Sequence, residues 1–159
     1  MGAESIKEAL EEARENDRID AVVVRINSPG GSASASDAIW RAIRLTAEEK
    51  PVVVSMGGLA ASGGYWIATA AETIVADPLT LTGSIGVFAM LFDVSGFFEN
   101  KLGVTFDDIQ TAPYADIFSG IRPLEEQERA LLEGWVDSTY RDFLARVAES
   151  RGLDVAGVD

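Results

Sequence analysis

The chain has 159 residues, 47% of them hydrophobic and 25% charged, with a formal charge of -13 at pH 7. That is one domain's worth of chain, long enough to bury a core and too apolar to be disordered, so residues 1–159 are expected to form a single domain. Cys and His are both absent, which excludes disulfides, thiol nucleophiles, thiolate or imidazole metal sites and any Ser-His-Asp triad. A surface this acidic repels nucleic-acid phosphates and anionic lipid headgroups, so neither is an expected partner. No apolar run approaches the roughly 18 residues of a membrane helix. Met1-Gly2-Ala3-Glu4 opens a helical pattern rather than a signal peptide. Lysine occurs three times, as Lys7, Lys50 and Lys101.

Apolar residues Ile6, Ala9, Leu10 and Ala13 recur at helical spacing and predict an amphipathic helix over 3–16. The β-branched run 19–26 reads as a buried strand, broken by Asn27-Ser28-Pro29-Gly30-Gly31. Residues 34–49 read as a second helix with Ile39, Trp40 and Ile43 inward. A strand comes next over 52–56 and is expected to stop at Gly57-Gly58, before an apolar helix over 60–71. Short strands are predicted at 73–76 and 85–90, a helix at 95–102 and a strand at 104–110. Residues 111–122 have no period and read as loop. Pro123 opens a long helix with Leu132, Trp135, Val136, Thr139, Phe143 and Val147 on one stripe. Strands alternating with helices imply an α/β fold with a mostly parallel sheet covered by helices.

Two glycine-rich breaks each come directly after a buried strand, at the end of a parallel sheet where ligands bind. In the first, Gly30 and Gly31 let backbone N–H groups face a ligand with no Cβ in the way, an arrangement able to hold an oxyanion. A plain tight turn accounts for the same residues. The second, Gly57-Gly58-Leu59-Ala60-Ala61-Ser62-Gly63-Gly64, puts Ser62 at the start of a helix among tiny side chains, with Gly63 N–H beside it. That has the logic of a nucleophile elbow without its G-x-S-x-G pattern, because Ala60 stands at the first position. A helix-capping serine is the competing reading. Taken together, the breaks offer a nucleophile and two oxyanion donors, which is the apparatus of acyl transfer apart from a base.

The motifs Ile26-Asn27-Ser28-Pro29-Gly30-Gly31-Ser32, Val54-Ser55-Met56-Gly57-Gly58-Leu59-Ala60-Ala61-Ser62-Gly63-Gly64-Tyr65-Trp66 and Leu81-Thr82-Gly83-Ser84-Ile85-Gly86-Val87, in that order, resemble the signal peptide peptidase A family, also called protease IV. The resemblance runs from about Ala3 to Asp159. It implies the Clp-protease/crotonase fold of repeated β-β-α units. It implies a serine endopeptidase with a Ser/Lys dyad, with Ser62 as nucleophile and Gly63 with Gly30 or Gly31 as the oxyanion hole. Ser84 matches a serine that can orient the lysine; a strand-start hydroxyl bonded to backbone is the bland alternative. In short-type members the lysine lies just before an Asp, a position occupied here by Ala115. Long-type members carry two copies of the fold, the first supplying the lysine and the second the serine. The chain therefore matches the C-terminal half of a long-type member, truncated at its end. The resemblance further implies apolar peptide substrates such as cleaved signal peptides, no metal or organic cofactor, and homo-oligomers. It implies a membrane anchor outside this chain, on the extracytoplasmic side of a bacterial membrane, and a fragment that is itself soluble.

Three other classes compete. A catalytically inactive assembly module of the same fold would use Phe92, Phe97, Phe98 or Trp40 as contacts. Crotonase-type acyl-CoA chemistry uses similar oxyanion donors but wants basic residues for the adenosine phosphates, against the charge of -13. A Clp-type peptidase needs a histidine base.

Overall fold

The computed structural model describes residues 2–158. Two compact units emerge among the described residues: 2–86 with 139–158, and 87–138.

In the first unit, α1 (Ala3–Glu15), β1 (Val22–Ser28), α2 (Ala33–Ala47), β2 (Val52–Ala61), α3 (Gly63–Ala68), β3 (Thr73–Val75) and β4 (Leu81–Gly83) succeed one another along the chain. The strands run β1-β2-β3, with β4 also on β2, and every pairing among the described residues is parallel. Parallel strands need crossovers, and α2 supplies one between β1 and β2. The core joins Leu10 of α1, Ile39 and Ile43 of α2, Ile26 of β1, Val52, Val54 and Met56 of β2, and Ala68, Ala70 and Ala71. Ser32 caps α2 by accepting from Ala35 N–H at 3.3 Å. Lys50 Nζ donates to Ala13 O and Asn16 O, both at 2.8 Å, tying off the carbonyl end of α1.

β2 differs from expectation. It does not stop at Gly57-Gly58 but runs on to Ala61, so the helix predicted over 60–71 is the six-residue α3. The reason is a bulge: Ile26 pairs with Met56, but Ser28 pairs with Ala60. Asn27 fills the irregularity and accepts from Leu59 N–H at 3.2 Å. A Cβ on Gly57 would lie 2.8 Å from Asn27 Oδ1, so the glycine there permits an approach instead of ending a strand. Residues 59–61 then pair with β4. The predicted strand at 85–90 is absent, and the chain pairs earlier instead, at 81–83.

In the second unit, α4 (Ser95–Phe97) continues as a π-helical turn, Phe98–Leu102, ended by Gly103 at φ 65. Residues 104–110 are not a strand: their apolar side chains have no sheet to join, and Ile109 is 97% exposed. Residues 111–122 are turns and loop, as expected. The long helix α5 spans Glu126–Arg151, beginning three residues after Pro123; its residues 126–138 belong to this unit and 139–151 to the first. Of its predicted stripe, Leu132, Phe143 and Val147 are buried, whereas Trp135 is exposed.

Candidate active site

The sequence from Ala61 to Gly64 must turn a strand into a helix without a linker. It does so at Ser62, whose φ of 51° and ψ of -121° lie where a residue with a Cβ is strained. Backbone bonds on both sides hold it: Ser62 N–H donates to Gly83 O and Ser62 O accepts from Trp66 N–H, each at 2.9 Å. The hydroxyl makes no capping hydrogen bond. The helix-cap reading of Ser62 therefore finds no bond to support it. The strained turn has the character expected of a nucleophile elbow.

The two glycine breaks meet backbone to backbone. A Cβ on Gly30 would lie 2.6 Å from Gly63 N, 2.9 Å from Ser62 Cβ and 3.0 Å from Ala61 O. A Cβ on Gly64 would lie 2.7 Å from Ser28 O, and one on Gly63 would run into Ser36 Oγ. Gly30 (φ 100°) and Gly31 (φ 148°) adopt backbone angles that side-chain-bearing residues avoid. The sequence leaves open which of them faces an oxyanion. Gly30 N–H donates to Ser28 Oγ at 3.1 Å. Among the described residues, Gly31 N–H and Gly63 N–H have no hydrogen-bond partner. A Cβ on Gly63 would lie 3.3 Å from Gly31 N. The structure thus brings together Ser62, Gly30, Gly31 and Gly63. Ser84, at φ 52°, comes after the last registered pair Ala61–Gly83 and lies just past the end of β4, as Ser62 lies just past the end of β2; it is exposed.

The lysines of the first unit are engaged elsewhere. Lys7 Nζ pairs with Glu4 Oε1 at 3.1 Å on the surface of α1, and Lys50 holds the end of that helix. Lys101 lies exposed in the π-helical turn of the second unit.

Ala115 also belongs to the second unit, exposed in a turn where its N–H donates to Ala112 O at 3.3 Å. The neighbouring residue, Asp116, belongs to an ion-pair cluster that sequence reasoning missed. Arg122 Nε and Nη2 grip Asp116 at 2.6 and 2.7 Å, while Nη1 and Nη2 grip Glu128 at 2.7 and 2.6 Å. Glu128 is only 1% exposed and also accepts from Glu125 N–H at 2.8 Å. The guanidinium bonds hold both carboxyls below the ordinary range, and the two carboxylates raise Arg122 further. The even spacing of Asp116, Arg122 and Glu128, six residues apart, was the available signal. Among the described residues, no group of three Asp or Glu side chains is placed to hold a metal ion.

Known proteins show the family and the fold. A family model described as peptidase family S49 matches residues 44–159, and one described as Clp protease matches residues 2–76. The chain belongs to peptidase family S49, as its signal peptide peptidase A motifs implied. It is 44% identical over 154 residues to the chloroplastic serine protease SPPA of Arabidopsis thaliana, covering 96% of this chain and 23% of that protein. It is 40% identical over 162 residues to Protease 4 of Haemophilus influenzae, covering 99% and 26%. The chain thus spans about a quarter of the length of these relatives. ClpP1 from Listeria monocytogenes superposes with a TM-score of 0.55 at 20% identity, covering 98% of this chain and 68% of that one. The Clp-protease-type α/β fold, a parallel sheet with helices, is borne out.

Proposed function

We propose that this chain is the serine-bearing part of a Ser/Lys peptidase whose general base comes from a second copy of the fold. The observation that carries it is the strained Ser62 turn set against the Gly31 and Gly63 N–H groups. Ser62 Oγ attacks the scissile carbonyl carbon and its proton passes to a neutral lysine Nζ; burial keeps such a lysine unprotonated by disfavouring its charged form. The carbonyl oxygen, now an oxyanion, accepts from Gly31 and Gly63 N–H. One donor of this kind is commonly worth about 10²–10³ in rate. The tetrahedral species collapses, the C–N bond breaks, and the leaving amine takes the proton back from lysine. Water, deprotonated by the same lysine, then releases the acyl group and restores Ser62. Ser84 is the group proposed to orient the lysine.

The substrates proposed are apolar peptides, cleaved signal peptides among them. No cofactor enters the scheme. The proposed setting is the extracytoplasmic face of a bacterial membrane, reached by an anchor outside these residues. No helix among the described residues is long and apolar enough to cross a bilayer. Association into homo-oligomers is proposed as well; exposed Phe88, Phe92 and Phe97 in the second unit support it. Ala115 supports a lysine from elsewhere, because a methyl group accepts no proton.

The test is turnover of apolar peptide esters by the chain alone and by the chain supplied with a second, lysine-bearing copy of the fold. Negligible turnover alone, and turnover abolished by Ser62→Ala in the pair, is the expected result. Robust Ser62-dependent turnover by the chain alone would overturn the borrowed lysine. Activity in the pair that survives Ser62→Ala would overturn the nucleophile.

A further inference from the structure

α3 has six residues, too few to hold its own orientation in water, so tertiary contacts must set it. Its buried anchor is Trp66, 4% exposed, whose backbone N–H donates to Ser62 O. Arg146, late in α5, lies between two indoles: its Cζ is 3.7 Å from the Trp40 ring centroid and 5.1 Å from that of Trp66. Arg146 Nη2 pairs with Asp37 Oδ1 of α2 at 2.7 Å. Phe143, one turn earlier on α5, packs on Trp66 with centroids 4.9 Å apart. A hydrogen-bonded chain closes the other side. Trp40 Nε1 donates to Thr69 Oγ1 at 3.1 Å, and Thr69 Oγ1 donates to Trp66 O at 2.6 Å.

We propose that Arg146 is a positioning residue for the Ser62–Gly63 turn, acting through the Trp40–Arg146–Trp66 stack. The guanidinium suits this place better than any other side chain. It is planar, so it lies against two ring faces, and its edge still reaches a carboxylate. Lysine offers the charge without the plane, and methionine the bulk without either. Shifting Trp66 carries the start of α3 with it, and hence Gly63 N–H relative to Gly31. Displacements of about 1 Å at such a site cost on the order of 10²-fold in rate.

The role of Ser62 as nucleophile comes from the proposed function, so the test has one arm that does not depend on it. The chain carrying Arg146→Met is compared with Leu10→Ala, a core truncation in α1, at a temperature where both are folded. In the first arm, Arg146→Met moves the Gly63 and Trp66 amide resonances, and Leu10→Ala leaves them in place. In the second, with the lysine-bearing copy present, Arg146→Met slows fluorophosphonate labelling of Ser62 roughly tenfold or more. Arg146→Lys restores only part of that rate, and Leu10→Ala keeps it. Unmoved Gly63 amide and wild-type labelling in folded Arg146→Met overturn the proposal. Should Arg146→Met not fold, Asp37→Asn, which removes the carboxylate alone, is read against the same two outcomes. Failure of the wild-type chain to label would count against the nucleophile, leaving the amide arm to decide this inference.

Discussion

The two units are held by different means. In the first, glycine backbone packs on glycine backbone around Ser62, and the tolerances are those of single atoms. In the second, residues 87–138 contain no strand, and Phe88, Phe92 and Ile109 stand in solvent. There one guanidinium grips two carboxylates. The difference teaches where each unit is vulnerable. The first should be most sensitive to carbon added at its glycine contacts, and the second to loss of the Arg122 charge.

The largest expected effect comes from Gly30→Ala. Its Cβ would sit 2.6 Å from Gly63 N at a φ of 100°. Backbone cannot step aside there, so a loss of about 3 kcal/mol or more is expected, together with loss of Ser62 labelling. Gly58→Ala, whose Cβ would meet nothing within 4 Å, should stay within about 0.5 kcal/mol. Equal stabilities in urea denaturation would break the interlock.

Next comes Arg122→Met. Asp116 and Glu128 are held below the ordinary carboxylate range in the folded chain. The unfolded chain therefore binds more protons over that range, and stability rises with pH. The stabilisation is complete above the unfolded carboxylate pKa of about 4 and is lost as pH falls through the lowered values. Arg122→Met should lower Tm at pH 7, with the gap to wild type closing in acid. Parallel Tm curves down to acid pH would remove the clamp from the account.

A smaller effect, opposite in sign, is expected from Ser62→Gly. Glycine accepts a φ of 51° without strain, so stability should rise by about 1 kcal/mol while labelling disappears. An unchanged or lower Tm would mean that the turn stores no strain. Smallest of all, Phe88→Ser, at a residue 82% exposed, should leave stability within about 0.5 kcal/mol while reducing self-association seen by light scattering.

Much of the site was legible because its signals are local. The glycine pairs and the serine between small residues carry their geometry in their own backbone preferences, and α1, α2 and β3 could be read from periodicity. What failed was what depends on a distant partner. Gly57-Gly58 reads as a strand end until Asn27 is seen filling the bulge opposite. Residues 85–90 and 104–110 have strand composition but no strand to pair with, and pairing decides. Arg122 and Arg146 were not singled out: the even spacing of Asp116, Arg122 and Glu128 is a faint signal, and nothing beside Arg146 in sequence names the two indoles. The bond from Gly30 N–H to Ser28 Oγ, on which the proposal of Gly31 as donor leans, is likewise a detail no local sequence pattern names.

The most direct measurement is peptide mapping of a fluorophosphonate adduct on the chain supplied with a lysine-bearing copy of the fold. The account predicts one adduct, on Ser62, absent from Ser62→Ala and from the chain alone. An adduct on Ser84 or another serine, or equal labelling of Ser62 without the second copy, would contradict it.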